Sequence, residues 1–490
     1  MNTATTDDIR DLRAYDDAEA AVARLIEIYA QGRTILKAHF DRFVAGEQDL
    51  PKVDACYPYL QLEVQSVPAD RRGPLSYGAV DEPGIYGTTV TNPALFQSYY
   101  LEQLQLLMDN HGVPVRVGVS NRQIPLTFAL EELTADLDAE EVASLADMFH
   151  LPDLAEIDDR VANGTYRSEA GSVMPLSLFS AERIDFSLSR LRHYTGTAPE
   201  HFQRFVLFTN YQRYVDEFIE YGRQEVLSGD NFRAFVEPGN AIHNNPRLTD
   251  RPSTGTAVDK LPQMPAYHLV KDEHMGITLI NIGIGPSNAK TITDHVAVLR
   301  PNCWLMIGHC GGLRRTQRLG DYVLAHAYAR IDHVLDNDLP TEVPVPPIAE
   351  VQVALSAAVA SVAGVQGPEM KQRLRTGTVV TTDDRDWELR YDELAIFFNQ
   401  TRAIAIDMES ATIAANGFRL RVPYGTLLCV SDKPLHGEIK LPGMANAFYQ
   451  ERVSQHLQIA LEAMNAMRDD VVRHALHSRK LRSFDEPAFR

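Results

Sequence analysis

The sequence predicts an α/β protein with a larger domain at 176–490, in which helices flank a largely parallel central sheet, and a smaller α+β domain at 1–175. The chain has 490 residues, more than one ordinary domain holds. Its second part contains short, almost entirely apolar runs, which are typical of strands buried on both faces of a parallel sheet. Its first 150 residues instead mix helical patterns with strands of alternating apolar and polar residues, which indicates a sheet with one solvent-facing side.

Two helices and two strands are predicted in the N-terminal domain. Apolar residues recur every three to four positions over 16–44 and 93–110, which predicts amphipathic helices, the second ended by Gly112. Apolar and polar residues alternate over 59–65 and 113–119, which predicts half-buried strands.

The character of the sequence changes after residues 153–197, which are less periodic and richer in Gly, Ser and Pro and are predicted to form a linker. Helical periodicity returns over 286–299 and 451–467. The apolar runs that predict buried strands are 205–209, 277–284, 304–307, 379–381, 403–406 and 426–430.

The composition excludes several classes of protein. Hydrophobic residues make up 44% and charged residues 23%, as in globular proteins, and the formal net charge of −19 would repel a nucleic-acid backbone. The polar, acidic N-terminus has no signal-peptide core, and the least charged stretch, 351–367, is too polar to span a membrane. The four cysteines lack CxxC spacing, which argues against zinc and disulfides and favours a reducing cytoplasm.

Glycine-rich segments follow two neighbouring apolar runs. GIGPSNAK (283–290) follows the run at 277, and GHCGG (308–312) follows the run at 304. Ligands of open α/β sheets bind beyond the carboxyl ends of the strands, where glycines let backbone N–H groups approach an anion or a ribose. Plain tight turns account for such glycines equally well, so both interpretations remain open.

Acidic residues follow two further runs. Asp407, Met408, Glu409 and Ser410 open a predicted helix, in which Asp407 could be an N-cap and Glu409 a favourable acid of the first turn. Asp432 follows Ser431 after the run at 426. A partly desolvated carboxyl at a strand end can act as a general acid, and a turn or cap aspartate is the alternative.

Together the strings GIGPSNAK, IGHCGG, VTTDD, AIDMESATIAA and LLCVSDKP resemble the nucleoside phosphorylase/hydrolase superfamily. The longer strings TGTVVTTDDRDWELRY and LSRLRHYTGTAPEHFQRFVLFTNYQRYVDEF are similar to the bacterial AMP nucleosidases of that superfamily. The resemblance is close from Ser187 onward and looser over the first 150 residues. It implies a nucleoside-phosphorylase-type fold for 176–490 and hydrolysis of AMP to adenine and ribose 5-phosphate, a reaction of purine salvage and adenylate-level control.

The resemblance also implies roles for individual residues. Met408 and Glu409 would bind the ribose, with Glu409 accepting hydrogen bonds from the 2′- and 3′-hydroxyls, and Asp432 would protonate the purine. The phosphate or water side would be lined by Gly283, Gly285, Gly308, Gly311 and Gly312. The chemistry is consistent with these roles: cleavage leaves positive charge on the ribose and negative charge on the purine, and it requires no metal.

The sequence departs from the related phosphorylases at two places. Those enzymes carry a Gly-Ser-Cys-Gly loop that grips phosphate, whereas this chain has His309 at the serine, which favours a hydrolase. The relatives stack the purine on an aromatic pair, and Trp387 is the aromatic residue of the corresponding stretch, where core packing is the alternative role.

Several assignments stay open at this point. The 5′-phosphate needs positive charge, for which the candidates are Arg192, Lys290, Arg314, Arg315 and Arg385. No base that activates the water is assigned, although 211–213 follows a strand where related hydrolases place such contacts. The resemblance implies a cytoplasmic homo-hexamer that ATP, as Mg-ATP, activates through residues 1–175 and that phosphate inhibits, but the sequence does not locate the ATP site.

Two other activities compete with AMP hydrolysis. A purine nucleoside phosphorylase or a thioadenosine-type nucleosidase has the same fold, and a non-catalytic nucleotide sensor would bind ATP without turnover. The presence of both Glu409 and Asp432 argues against the sensor.

Overall fold

The computed structural model of the chain describes residues 9–47, 50–67, 76–129, 137–169, 171–437, 446–472, 476 and 481–490. The chain divides into two compact units, Met1–Ser189 with Arg482–Arg490, and Arg190–Leu481. The first unit therefore includes the last nine residues of the chain, and the division falls inside a helix, α5 (Ala181–Thr195).

The first unit is an α+β domain with a five-stranded sheet. Its elements before α5 are β1 (Arg10–Tyr15), α1 (Ala18–Val44), β2 (Cys56–Val64), β3 (Gly84–Thr89), α2 (Gln97–His111), β4 (Val115–Gln123), α3 (Leu126–Ala129), α4 (Ala139–Met148) and β5 (Met174–Pro175). The strand order is β1-β4-β2-β3-β5, and the pairings are antiparallel except for β3 with β5.

Helix α1 supplies most of the core of this unit. Asp17 caps it by accepting a hydrogen bond of 2.7 Å from the Ala20 N–H, which satisfies one of the free donors of the first turn. Its apolar stripe, which includes Leu36 and Phe40, is buried against Tyr57 of β2 and Phe149. The 3.6-residue period of the sequence thus becomes one continuous face against the sheet.

The second unit is an α/β domain with a ten-stranded sheet. Its strands are β6 (Phe205–Thr209), β7 (Ala234–Glu237), β8 (Ala241–Asn244), β9 (Ala266–Val270), β10 (Ile277–Asn281), β11 (Cys303–Gly312), β12 (Tyr322–Ile331), β13 (Leu374–Thr382), β14 (Ala405–Asp407) and β15 (Tyr424–Asp432). Its helices after α5 are α6 (Gln212–Ser228), α7 (Pro286–Val296), α8 (Ala349–Ala363), α9 (Gly367–Arg373), α10 (Tyr391–Thr401), α11 (Ser410–Leu420) and α12 (Asn446–Val472).

The sheet of this unit is mixed, with parallel strands at its centre. Strands β10, β6, β11 and β15 run parallel to one another, and β12, β13 and β14 form a second parallel group that runs opposite to β15. Strand β14 also pairs antiparallel with β11, so the part of the sheet from β14 through β13, β12 and β15 to β11 closes on itself. The predicted fold class, an α/β domain with a smaller α+β domain, is confirmed.

Several predicted helices and strands are present, but their ends or their burial often differ from the prediction. The run at 205–209 is a strand over its whole length, whereas the run at 304–307 is the middle of the longer β11. The predicted linker at 153–197 is wrong in its last part, because α5 forms there with Leu188 and Leu191 buried. Strand β2 was predicted to be half-buried, but even its Gln61 is only 1% exposed.

Within the described residues, no single helix is long and apolar enough to cross a membrane. One pair of consecutive helices, α8 and α9, passes that test only when taken together, and it is bent by 97°. The N-terminal segment used in the signal-peptide argument includes residues 1–8, which lie outside the described part of the chain.

Candidate active site

Five strands bring the predicted site residues to one region of the second unit. Gly311 of β11 pairs with Asp432 of β15 on one side and with Ile406 of β14 on the other, so Asp432 and the segment 407–409 flank the same stretch of β11. The segments that follow β6 and β10 reach the same place, because both donate hydrogen bonds to Glu409. This is the location expected for a ligand of an α/β sheet.

The carboxylate of Glu409 is at the centre of this region. Its side chain is 1% exposed, and it accepts hydrogen bonds from the Gly285 N–H at Oε1 (2.7 Å) and from Asn210 Nδ2 at Oε2 (2.9 Å). A carboxylate oxygen can accept two hydrogen bonds. The carboxylate of Glu409 therefore retains acceptor capacity for a ribose hydroxyl.

The turn before α7 has a backbone that favours glycine at two positions. Gly283 and Gly285 have φ of 69° and 109°, and the Gly283 N–H donates to Oδ1 of Asn281, the last residue of β10 (3.2 Å). Positive φ is costly for residues with a Cβ. This conformation places the Gly285 N–H against Glu409, and Pro286 then begins the helix.

Burial controls the ionisation of Glu409. Removal from water and, next, the neighbouring charge of Asp407 raise the pKa of Glu409 to about 8, while the N–H donors of Gly285 and Asn210 oppose this rise. The pKa of Asp407 is also raised, chiefly by burial. Glu409 can therefore change protonation state near neutral pH.

Asp407 has a structural role at the start of α11. It accepts hydrogen bonds from Thr381 Oγ1 (2.6 Å), from the Ser410 N–H (2.9 Å) and from the Ser410 hydroxyl. Thr381 in turn accepts from the Ala411 N–H (2.8 Å). The capping interpretation of Asp407 therefore agrees with its contacts, whereas Glu409 is left facing the strand ends.

Asp432 is the last residue of β15 and is partly buried. The Ser431 hydroxyl donates to its Oδ1 at 2.6 Å. The pairing of β15 with β11 is irregular between Cys310 and Gly311, next to Asp432. Such an irregularity redirects side chains at the end of a strand, as is common beside active sites.

The second glycine segment was predicted to be a turn, and this prediction is wrong. Gly308, Gly311 and Gly312 lie within β11, because the strand continues through Gly312 alongside β15 and β14. At Gly312 a Cβ would lie 2.9 Å from Val430, so the glycine is required by the packing of adjacent strands. Gly283 and Gly285 do lie in a turn, as predicted.

Trp387 and the segment at 211–213 differ in their surroundings. The Tyr211 ring packs edge-on against His309, with 4.4 Å between centroids, so the segment at 211–213 meets the position where phosphorylases carry serine. Trp387 is 6% exposed and packs with Phe398 and Ile406 in an apolar cluster. These contacts favour core packing for Trp387, and purine stacking stays a prediction.

The five basic candidates for the phosphate ligand differ in their contacts and exposure. Lys290 pairs with Asp294 (2.7 Å) and Asp338 (3.6 Å), and Arg192 lies 3.7 Å from Glu200. Arg315 and Arg385 are exposed, and Arg314 is half-buried. The assignment of the 5′-phosphate ligand stays open.

Sequence reasoning missed two partners of the acidic segment, Asn210 and Thr381. Asn210 directly follows β6, one residue before the segment singled out from the sequence, and Thr381 lies within the VTTDD string. The rule that residues after buried strands meet at one edge would have found Asn210. Nothing in the sequence indicates that it pairs with Glu409, 199 residues away.

The described residues contain neither a metal-binding cluster nor a disulfide bond. Among the described residues, no group of three or more His, Cys, Asp or Glu side chains could hold a metal ion. The four cysteines are unpaired and buried. Burial raises the pKa of the Cys429 thiol to about 12, so this sulfur is neutral.

The raised pKa of Glu409 predicts a pH-dependent stability. The unfolded chain releases this proton near an ordinary pKa of about 4.3, whereas the folded chain retains it to about pH 8. Between these values the folded state binds more protons, so the free energy of unfolding falls as pH rises. In Glu409→Gln we expect a smaller decrease between pH 5 and pH 8, by more than about 1 kcal/mol.

Thermal unfolding of the ligand-free protein at several pH values measures this difference. Glu388→Gln is the matched control, because Glu388 is exposed and solvent surrounds it in both states. Parallel pH curves for the parent protein and Glu409→Gln would show that Glu409 does not hold its proton in the folded state.

Comparison with known families gives two matches along the chain. The family described as "Bacterial AMP nucleoside phosphorylase N-terminus" matches residues 20–173, and the phosphorylase superfamily matches residues 264–473. A guanosine phosphorylase from Halorubrum lacusprofundi is 24% identical over 210 residues, which cover 41% of this chain and 81% of that protein.

Two solved structures show similarity to part of the chain. An AMP nucleosidase from Bacteroides thetaiotaomicron is 26% identical with a TM-score of 0.44, covering 59% of this chain and 99% of that one. A purine nucleoside phosphorylase from Toxoplasma gondii is 17% identical with a TM-score of 0.40, covering 57% and 97%.

The strongest of these similarities extends over almost the whole chain. The AMP nucleosidase of Escherichia coli is 51% identical over 478 residues, which cover 96% of this chain and 98% of that protein. Both units therefore have counterparts in one relative, in the same order. The chain belongs to the bacterial AMP nucleosidase family, within the phosphorylase superfamily.

Proposed function

We propose that the protein is an AMP nucleosidase, which hydrolyses the N-glycosidic bond of AMP to adenine and ribose 5-phosphate. The observation that carries this proposal is the buried Glu409 carboxylate, held by two N–H donors at strand ends that it shares with Asp432. The relationship to a curated AMP nucleosidase at 51% identity supports the same substrate.

In the proposed mechanism the two acids act on opposite parts of the substrate. Glu409, with Met408 beside it, accepts hydrogen bonds from the ribose hydroxyls and keeps the ring in place as positive charge develops on it. A proton on Asp432 passes to the adenine as the bond to C1′ breaks and its electron pair leaves with the base. Water then bonds to C1′ and releases a proton, and Asp432 regains one from solvent.

The glycines are proposed to act through the backbone. Gly283 and Gly285 shape the turn that donates to Glu409, on the phosphate or water side of the ribose. Gly308, Gly311 and Gly312 are proposed to lie on the same side, in the part of β11 that pairs with β14 and β15. His309, in place of the phosphorylase serine, removes a hydroxyl donor for free phosphate and favours water as the acceptor of the ribosyl group. The reaction needs only water and proton transfer.

Replacing the proposed acid should lower the rate of the chemical step. Asparagine keeps the shape of Asp432 but has no proton to give, so in Asp432→Asn we expect kcat for AMP to fall about 100- to 10,000-fold with a much smaller change in KM. Adenine release, measured with and without added phosphate, also separates hydrolysis from phosphorolysis.

The matched control for this substitution is Asp250→Asn, at an exposed aspartate of the same unit, which should retain full activity. Near-normal turnover in Asp432→Asn would remove Asp432 from the mechanism. Absence of adenine release by the parent protein would reject the proposed function itself.

Replacing Glu409 should impair recognition of the 2′-hydroxyl. A hydrogen bond from that hydroxyl to a charged acceptor contributes about 1.5–3 kcal/mol. In Glu409→Gln we therefore expect kcat/KM to fall further for AMP than for 2′-deoxy-AMP. An equal loss for both substrates would show that Glu409 does not bind the 2′-hydroxyl.

We propose further that residues 1–175 regulate the enzyme, that ATP with magnesium activates it and that phosphate inhibits it. We also propose a cytoplasmic homo-hexamer, for which light scattering of the purified protein is the direct test. These proposals rest on the resemblance to the family, and the buried thiols are compatible with a reducing compartment.

The regulatory proposal can be tested by removing the first unit. Because that unit extends to Ser189 and includes Arg482–Arg490, the fragment used is 190–481 rather than 176–490. We expect the folded fragment to release adenine from AMP but to lose its response to ATP, a coupling of about 1–3 kcal/mol. A retained response would place the effector site in the second unit.

A folded fragment without activity would instead show that the first unit is required for catalysis. Circular dichroism and thermal unfolding of the fragment establish whether it folds. Light scattering in parallel separates a loss of assembly from a loss of the effector site.

A further inference from the structure

Asn210 is a residue of the site that uses only half of its side-chain amide for hydrogen bonding within the fold. It directly follows β6, the strand between β10 and β11, and its Nδ2 donates to Glu409. Its Oδ1 is buried and has no hydrogen-bond partner among the described residues. An unpaired buried carbonyl destabilises a folded protein, so an asparagine here gains nothing from that half of its amide.

The surroundings of the amide hold it in one place. A Cβ added at Gly308 would lie 3.2 Å from Asn210 Oδ1, so the glycine leaves room for the amide beside β11. The preceding residue, Thr209, is fully buried, and its hydroxyl accepts a hydrogen bond from the Tyr211 N–H (3.4 Å). The amide is therefore confined between β11 and Glu409, and only its N–H side makes a polar contact.

That contact determines the orientation of the Glu409 carboxylate. One donor per oxygen, Gly285 at Oε1 and Asn210 at Oε2, fixes the plane of the group through two elements on different parts of the chain. With a single donor the group could rotate about its last bond. The carboxylate held in this orientation keeps acceptor capacity for substrate hydroxyls.

We propose that Asn210 is a positioning residue for ribose recognition, whose side-chain N–H holds the Glu409 carboxylate in the orientation that accepts the 2′- and 3′-hydroxyls. This inference rests on the proposed ribose-binding role of Glu409. Asn210 itself takes no proton and touches no reacting atom. It acts through Glu409.

The effect of Asn210 on the ionisation of Glu409 can be measured separately from an effect on folding. An N–H donor to a carboxylate favours its charged form, so loss of the Asn210 donor raises the pKa of Glu409. The other groups around Glu409 are the charged Asp407 and the N–H groups of Gly285 and Met408. Cys310, His309 and Asp432 are the further titratable groups on the adjoining strands, and all remain unchanged when Asn210 alone is replaced.

The test uses the full-length protein with Asn210→Leu, which has a similar shape but no donor, and Asn210→Asp, which has the same shape and a carboxylate. We expect the acidic limb of the pH profile of kcat/KM for AMP to move to higher pH by about one unit in Asn210→Leu, and further in Asn210→Asp. Asn337→Leu, at an exposed asparagine of the same unit, should leave the profile unchanged.

Substrate discrimination gives a second, independent measurement. The preference for AMP over 2′-deoxy-AMP should fall in Asn210→Leu, and combining this substitution with Glu409→Gln should reduce it no further than Glu409→Gln alone. Thermal unfolding shows whether each variant is folded. If Asn210→Leu does not fold, the same two measurements are made on the isosteric Asn210→Asp variant.

The outcomes distinguish this inference from the proposed function. An active parent protein whose Asn210 variants keep the pH profile and the discrimination would overturn the role of Asn210 alone. Additive effects of the two substitutions would show that Asn210 acts independently of Glu409, which also rejects the inference. If the parent protein releases no adenine from AMP, the proposed function fails first.

Discussion

A buried carboxylate, that of Glu409, imposes the main constraint on the architecture of the candidate site. A charged group removed from water destabilises the fold unless hydrogen bonds replace its solvent. The two donors come from Gly285, in the turn after β10, and from Asn210, directly after β6. The neighbouring positions of β6 and β10 in the sheet make this possible, since both strands end close to Glu409.

Two acids separated by one residue have opposite roles because their neighbours differ. Asp407 is the last residue of β14, and its oxygens are occupied by the hydroxyl of Thr381 and by Ser410 at the start of α11. It thereby fixes where the helix begins and, with it, where Glu409 lies. Glu409 retains acceptor capacity for a ligand, whereas Asp407 uses its oxygens for contacts within the protein. The negative charge of Asp407 also contributes to the raised pKa of Glu409.

The predictable part of the site follows from patterns along the chain, and the rest follows from pairing between distant segments. The run at 304–307 was recognised as a strand, but its continuation through Gly312 depends on partners in β14 and β15 more than 90 residues away. Glycines have low strand propensity, so local pattern favours a turn there. The helix α5 was similarly overlooked: its buried residues Ala181, Ile184, Leu188 and Leu191 recur every three to four positions, but the Gly, Ser and Pro content of residues 153–197 as a whole favoured a linker.

The sequence by itself determined the fold class, indicated several of the helices and strands, and singled out Glu409 and Asp432 as candidate site residues, because periodicity, charge and short motifs are local properties. The tertiary structure alone decided which groups meet. It assigned Asp407 to the start of α11 and placed Asn210 against Glu409 across 199 residues of chain. The physical reason is that hydrogen bonding to a buried carboxylate depends on three-dimensional proximity, which strand order and register create and which no local pattern encodes.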